Sequence, residues 1–257
     1  MKIWGITMVR DEADIIELTL RHMTAQGVDG LLVADNLSRD GTSTILERLR
    51  RELPLTVVPD EDPAYRQSEK MTALAERVHA LGADWVVPFD ADEIWRPHRG
   101  AATIREAIEG SDASILVAPM FDHFPRPTLR RGSIVDRMPW NRPAEVMGMK
   151  VAVRWQAGAH LHMGNHDVDG IDGARIGNLL LIDHYPFRSW RQFRRKNRQG
   201  REAIQLTDEP EGICYHWREL GGTSDTRLRV SWWQRRLRRG LVRSDRRDLL
   251  PAPDSSP

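Results

Sequence analysis

The sequence has a single cysteine, Cys214, among its 257 residues. One cysteine cannot form an internal disulfide, and the lack of any cysteine cluster argues against structural zinc. No apolar run approaches the roughly 18 residues that a membrane-spanning helix needs. The N-terminus reaches acidic residues too early for a signal peptide. We therefore expect a cytoplasmic protein that at most lies peripherally at the inner face of the membrane.

An excess of charge of either sign is also lacking, because 38 basic side chains nearly cancel 37 acidic ones. No overall field would draw the molecule onto nucleic acid, so we expect no specific nucleic-acid partner. Two local stretches are nevertheless basic, residues 188–201 and the segment from Thr226 onward. The second contains Trp232 and Trp233 and could rest on an anionic membrane. A protein that only binds anionic surfaces, whether nucleic acid or membrane, is therefore one alternative to an enzyme.

The first 120 residues alternate short apolar β-rich runs with segments of helical period, which predicts βαβ units and a mostly parallel sheet. The expected strands are 3–8, 31–34, 55–58, 85–89 and 115–119. The expected helices are 13–25, 42–53, a segment that follows a Ser68 cap, and 101–108. After residue 121 the pattern loosens, and we expect strands at 149–154 and 179–182 and a basic helix over 188–201.

Acidic side chains follow three of the predicted strands, at the point where each strand ends. They lie in VRDE at 9–12, in DNLSRDGT from Asp35, and in DADE at 90–93. In an open α/β sheet, ligands bind outside the carboxyl ends of the parallel strands, so these segments should line one site. Clustered carboxylates require a cation, and Mg²⁺ or Mn²⁺ prefers carboxylate oxygens together with substrate phosphates. Asp90 and Asp92 are therefore the predicted metal ligands; the alternative is that they are solvated turn residues.

Asp35 and Lys70 are further candidates for nucleotide contacts. Asp35 comes directly at a strand end, from which it could accept a hydrogen bond from a base or ribose; it could equally cap the following helix. Lys70 lies in the first turn of the third helix, where the helix dipole disfavours a cation. A bound phosphate would compensate that charge, and the alternative is a solvated lysine beside Glu69.

Four segments resemble the family 2 glycosyltransferases of GT-A fold, especially bacterial members with a DADE form of the metal motif. They are TMVRDEADII, VADNLSRDGT, GADWVVPFDADEIW and LIDHYPFRSWRQFRRKNRQG, and they span roughly residues 2 to 200. The resemblance implies a three-layer nucleotide-sugar-binding fold with a mostly parallel central sheet. It also implies metal-dependent, inverting transfer of a sugar from a nucleotide-diphosphate donor, commonly of uridine or guanosine, to a glycan, lipid or small-molecule hydroxyl.

The resemblance assigns the nucleotide site one position at a time. Thr7, Val9 and Asp11 match the first loop, which meets the nucleotide base. Asp35 matches the acid after the second strand, and Lys70 matches a basic position near the diphosphate.

The same resemblance extends to the metal and the catalytic base. Asp90 and Asp92 match the metal motif, and His184 resembles the histidine that completes metal coordination after a late strand. An inverting transfer needs a carboxylate that deprotonates the acceptor, and this sequence departs from the family in showing no unmistakable acidic pair for that role. Glu145 and Asp167 are the candidates for the base.

Other functions are less compatible with these motifs. The chain has no Gly-rich loop after the first strand, which disfavours a dehydrogenase and a nucleotidyltransferase on a related fold. The spacing of His160, His162 and His166 suggests zinc, but no fourth ligand is evident. We therefore predict one glycosyltransferase domain over 1–225, with a nucleotide and metal half at 1–120 and an acceptor half at 121–225. An Arg-rich helix and a disordered tail should follow at 226–257.

Overall fold

The computed structural model describes residues 1–98, 100–125 and 132–243. Its strands are β1 Ile3–Val9, β2 Gly30–Asp35, β3 Leu55–Pro59, β4 Trp85–Pro88, β5 Glu93–Pro97, β6 Ile115–Phe124, β7 Trp140–Asn141, β8 Gly148–Arg154, β9 His160–Leu161, β10 Val168–Asp169, β11 Arg175–Gly177, β12 Leu180–His184 and β13 Val242–Arg243. Its helices are α1 Ile16–Ala25, α2 Thr42–Leu49, α3 Gln67–Ala80, α4 Ile104–Glu109, α5 Ile134–Arg137, α6 Trp190–Ile204, α7 Tyr215–Gly222 and α8 Asp225–Arg236.

A central sheet connects the two halves of the chain. Within the described ranges it has 11 strands, in the order β13-β7-β6-β8-β4-β1-β2-β3, with β11 and β12 also paired to β6 and with β5 paired to β12. Neighbours β3, β2, β1 and β4 are all parallel, as βαβ units require. Antiparallel pairing begins where β8 inserts between β4 and β6. The predicted α/β fold class is confirmed.

The alternation of side chains along the strands divides the core into two layers. Leu31 and Val33 of β2 pack in one layer, together with apolar residues of α1, α2 and α4. Leu32 and Ala34 point to the opposite face, where they meet the apolar stripe of α3. Helices therefore cover both faces of the parallel strands, which explains why these strands are apolar throughout.

Most elements predicted from the sequence are present, with shifted ends. The notable omission is β5, a five-residue strand that follows DAD directly and pairs with β12 far along the chain. The Ser68 cap is wrong, because α3 begins one residue earlier at Gln67 and has no side-chain cap. The Ser68 hydroxyl instead donates to the Leu161 carbonyl, a contact between distant segments.

In the Arg-rich C-terminal segment, α8 begins after a Ser224 cap and ends at Arg236. Trp232 is buried with Phe193 and Leu228, so of the predicted tryptophan pair only Trp233 is exposed. The predicted disordered tail, LLPAPDSSP, lies outside the described residues. In the part of the chain that is described, we find no helix both long and apolar enough to cross a membrane.

Candidate functional site

The acidic loops predicted to share one edge of the sheet do so. Val9 is the register neighbour of Asp35, and Ile6 that of Pro88, so β1, β2 and β4 end side by side. The N–H of Phe89 still donates to the Ile6 carbonyl at 3.0 Å, and the DADE segment leaves the sheet immediately afterwards.

Two pockets open at this edge and share one wall. The first lies against the loops after β1 and β2, and the second lies beside β6, β8 and β12. Their cavity volumes are about 130 and 580 Å³. The residues common to both are Tyr65, Gln67, Asp90, Lys196 and Trp217. A ligand in each pocket would therefore meet the other ligand near Asp90.

Asp11 holds the loop after β1 in a left-handed turn, with φ of +57°. Its side chain is buried and accepts the Arg39 N–H at 2.6 Å and the Gln199 side-chain amide. Burial favours the neutral acid, but these donors and Arg195 outweigh it and hold the pKa of Asp11 below its usual value. The charged Asp11 thus links this loop to Gln199 of α6, and both residues line the first pocket.

Asp90 is the more open member of the aspartate pair. Its side chain is 34% exposed, and Oδ2 lies 2.7 Å from the Lys150 ammonium. The Oδ1 atom accepts the Gln67 amide at 3.3 Å. Lys150 itself is buried and also contacts buried Glu93 at 2.6 Å. Asp90 and Glu93 raise the pKa of Lys150 despite the opposing effect of burial, so this ammonium stays charged.

Asp92 is almost fully buried and is surrounded by cations. Its Oδ2 lies 2.6 Å from the Lys196 ammonium and 3.1 Å from the Arg188 guanidinium, and Oδ1 lies 3.7 Å from His184 Nε2. Burial alone would favour the neutral acid. The three neighbours outweigh it and keep the pKa of Asp92 well below its usual range.

Arg188 connects the loops after β1 and β4. It is fully buried and pairs with Glu12, with Asp14 at 3.0 Å and with Asp92 at 3.1 Å. Its Nη1 also donates to the Tyr185 carbonyl at 3.0 Å. The planar guanidinium has enough donors to satisfy all four partners at once.

His184 ends β12 and contacts Asp122 of β6, its parallel register neighbour. The Nδ1 atom lies 2.7 Å from Asp122 Oδ1, and both side chains line the second pocket. Burial opposes the imidazolium, but Asp92 and Asp122 raise the pKa of His184 to about 10. His184 therefore provides a fourth positive charge around the DADE segment.

The three predicted metal ligands do not form a metal site in this structure. Asp90 faces Lys150, whereas Asp92 faces Lys196 and Arg188, and His184 is engaged with both Asp92 and Asp122. Among the residues that the structure describes, no group of three or more His, Cys, Asp and Glu side chains could hold a metal ion. The carboxylates that would bind Mn²⁺ or Mg²⁺ already have cationic partners from the chain itself.

The predicted nucleotide residues divide into two groups. Val9 and Asp11 line the first pocket. Thr7 is fully buried within β1, and Asp35 accepts hydrogen bonds from the Ser43 hydroxyl and from the Ser38 N–H at 3.3 Å. Lys70 pairs with Asp60 at 2.7 Å, so its charge is balanced within the protein and it is not a solvated lysine. These last three do not line the first pocket.

The two predicted bases lie away from the shared wall. Glu145 pairs with Arg142 and Arg238, and Asp167 pairs with Arg175. Neither lines either of the two pockets. The acids that do line the second pocket are Asp90, Glu93 and Asp122. The sequence analysis missed Asp122 because it lies within a strand rather than after one.

The predicted histidine cluster separates into three unrelated contacts. His160 meets the Ser68 hydroxyl, His162 pairs with Asp169 at 2.9 Å, and His166 Nδ1 contacts the Met149 carbonyl at 2.6 Å. The zinc alternative is therefore not supported.

Aromatic residues of the cleft also escaped the sequence analysis. Tyr65 and Trp217 meet edge to face, with ring centroids 4.8 Å apart, in the wall between the pockets. They are 152 positions apart in sequence, so no local motif predicts their contact. Their side chains give the cleft an apolar surface opposite its charged one.

No protein-family model matches the chain, and no curated protein matches it. Among solved structures, it is similar to S. aureus TarS 1-349 (TM-score 0.48, 14% identity, 84% of this chain and 68% of that one). The structure of TarS 1-349 in complex with UDP-GlcNAc has a TM-score of 0.47 and covers 84% of this chain and 69% of that one. The structure of GalNAc-T7 with UDP, GalNAc and Mn²⁺ has a TM-score of 0.45 and 10% identity, and the match covers 90% of this chain and 56% of that one. Likeness at this level assigns neither activity nor family, so the site's own geometry has to identify its chemistry.

Proposed function

We propose that this chain is a glycosyltransferase that moves a sugar from a nucleotide-diphosphate donor to a hydroxyl acceptor. The observation that carries the proposal is the pair of pockets that meet at Asp90, on the carboxyl edge of the parallel strands. A transferase needs two substrates whose reacting atoms come together, and two pockets with a shared wall offer that proximity. The resemblance of the four sequence segments to family 2 enzymes supports the same assignment.

The first pocket is the proposed donor site. It combines polar groups that suit a base and ribose, such as Asp11 and Asn36, with the aromatic faces of Tyr65 and Trp217. Arg10, Arg195 and Lys196 provide positive charge along the same pocket. A nucleoside diphosphate carries both an aromatic base and negative charge, and therefore complements this lining.

The larger second pocket is the proposed acceptor site, and Asp122 is the proposed base. Its carboxylate is oriented by His184 and lies in a wall of that pocket. In an inverting transfer, it would take the proton of the acceptor hydroxyl as that oxygen attacks the anomeric carbon. Glu145 and Asp167 would have to leave their arginine partners to do the same.

Metal dependence and membrane contact stay predictions of the sequence. The ion pairs of Asp90 and Asp92 do not favour Mn²⁺ or Mg²⁺, and the proposed chemistry uses the chain's own side chains. Trp233 and Leu237 are exposed on the Arg-rich C-terminal segment and would be the contacts of a peripheral membrane association with an anionic surface.

The experiment is a panel of nucleotide-diphosphate sugars, each assayed for release of nucleoside diphosphate with glycan, lipid and small-molecule hydroxyl acceptors. We expect one donor to be consumed, and consumption to increase with the right acceptor. Salt-sensitive binding to nucleic acid or anionic vesicles, with no donor bound or consumed, would instead support the anionic-surface alternative.

A further inference from the structure

Two ammonium groups of the cleft, those of Lys150 and Lys196, belong to residues that the glycosyltransferase resemblance does not assign. Lys150 is 2% exposed and lies between Asp90 and Glu93, and Lys196 is 29% exposed and lies against Asp92. Both lysines line the second pocket, and Lys196 lines the first as well. Lys196 is thus the ammonium situated where a donor's diphosphate would approach the acceptor side.

The geometry around Lys196 leaves it able to bind an anion. Its Nζ atom contacts Asp92 Oδ2 at 2.6 Å, and the next carboxylate oxygen, from Glu12, lies 3.6 Å away. An ammonium has three N–H donors, so at least one remains for a ligand in the cleft. The partly exposed side chain on α6 gives that donor access to both pockets.

A second cation points to the same ligand chemistry. Arg10 follows β1 and lines the first pocket, and its buried Nε has no hydrogen-bond partner among the described residues. A buried donor without a partner is costly unless a ligand satisfies it. An anionic group next to Arg10 and Lys196 would provide that partner.

We propose that Lys196 binds the donor diphosphate and stabilises it as the leaving group, in place of a divalent ion. This assignment rests on the proposed function. In the transfer step, the bond between the anomeric carbon and the diphosphate oxygen breaks, and its electron pair stays on that oxygen. The acceptor oxygen forms the new bond, and its proton passes to Asp122. The charge gained by the diphosphate then develops beside the Lys196 ammonium, which is already charged and held in position by Asp92.

A divalent ion would face a specific obstacle at Asp92. The Lys196 ammonium and the Arg188 guanidinium both contact Oδ2 of this carboxylate, so an ion that binds Oδ2 would have to displace them from a side chain that is 1% exposed. The other oxygen, Oδ1, lies 3.7 Å from His184 Nε2. Arg188 would keep Glu12 and Asp14 as partners, but Lys196 would lose its 2.6 Å contact and its next carboxylate oxygen, from Glu12, lies 3.6 Å away, so the ion pairs of this buried cluster would be weakened. Asp90 is the more exposed carboxylate of the pair, so we expect a metal-dependent mechanism to act first through Asp90.

The test is isothermal titration calorimetry of the full chain with nucleoside diphosphates, first in excess EDTA and then with Mn²⁺. We expect binding in EDTA, with Kd changed by less than about 3-fold on adding Mn²⁺. This measurement needs no variant. Binding that EDTA abolishes and Mn²⁺ restores would overturn the assignment to Lys196 but leave the proposed function intact. If no nucleoside diphosphate binds under either condition, the proposed function fails together with the assignment.

Variants identify the residue. Lys196→Gln should weaken nucleoside diphosphate binding roughly 10- to 100-fold, as expected for a lost charge-assisted hydrogen bond, and leave the affinity for the unphosphorylated nucleoside unchanged. Lys196→Arg should retain most of the affinity. Arg191→Gln makes the same change of charge at an exposed position of α6 and should bind like the wild type. Equal losses for nucleoside and diphosphate in Lys196→Gln would show a structural role and overturn the proposal.

Discussion

The acids of the VRDE and DADE segments and the cations that pair with them come from different regions of the molecule. The acids follow β1 and β4, in short motifs within the first hundred residues. Their cationic partners lie 60 positions away for Asp90 and Lys150, 104 for Asp92 and Lys196, and 176 for Glu12 and Arg188. A local motif can therefore predict the acids of such a site. Their cationic partners are identified only from the folded structure.

The largest expected effect compares Asp122, which lines the second pocket, with Glu145, which lines neither pocket. We expect Asp122→Asn to lower kcat by about 10²- to 10⁴-fold, the range associated with loss of a general base. Asparagine keeps the volume and can still accept the His184 hydrogen bond. Glu145→Gln is the matched control and should stay close to wild type. Steady-state kinetics with the donor that the panel identifies measures both variants. A wild-type kcat for Asp122→Asn would exclude Asp122 as the general base.

The next largest effect compares a buried and an exposed arginine. Arg188→Met should lower the free energy of unfolding by about 3–5 kcal/mol, because Glu12 and Asp92 lose a partner in a buried setting. Arg194→Met breaks an ion pair with Asp225 in which both side chains are about half exposed, and should cost less than about 1 kcal/mol. Urea unfolding followed by tryptophan fluorescence measures both. Similar losses would show that burial of the Arg188 cluster adds nothing.

A smaller effect is expected for the reactivity of the single cysteine, Cys214, whose thiol lines the second pocket. Burial raises the pKa of the Cys214 thiol to about 11, so its thiolate is scarce at pH 8. Reaction with a disulfide reagent should be roughly 10-fold slower than that of an unperturbed thiol and should accelerate as the pH rises. The thiol lines only the second pocket, so a nucleoside diphosphate should protect it little. Strong protection would place the nucleotide in the second pocket instead.

The smallest effect concerns Asp35, which hydrogen-bonds Ser38 and Ser43 near the first pocket without lining it. Asp35→Ala should raise the KM for the donor by about 2- to 10-fold, as expected for hydrogen bonds that orient the neighbouring loop. The value of kcat should not change, because this residue lies far from the acceptor side. A fall in kcat at constant KM would give Asp35 a role in the chemical step.

The parallel half of the fold could be predicted because each of its strands is a short apolar run and each of its helices has its own local period. The acids of the site could be predicted for the same reason, since they stand at strand ends. By contrast, β5 has only five residues and is defined by its pairing with β12, and Asp122 lies inside β6. The tertiary contact of Ser68 with Leu161 likewise replaced a local cap. In each case the deciding partner is distant in sequence.

The buried cluster around Arg188 limits how the chain can be divided or recombined. A fragment ending near residue 120 would retain Glu12 and Asp92 but lose Arg188 and Lys196, and would bury carboxylates with no counter-charge. It would also leave β4 with a free edge where β8 now pairs. A chimaera that exchanges the nucleotide half between related chains would therefore need to exchange Lys150 and residues 188–204 with it, so that the acids and their cations are inherited as one unit.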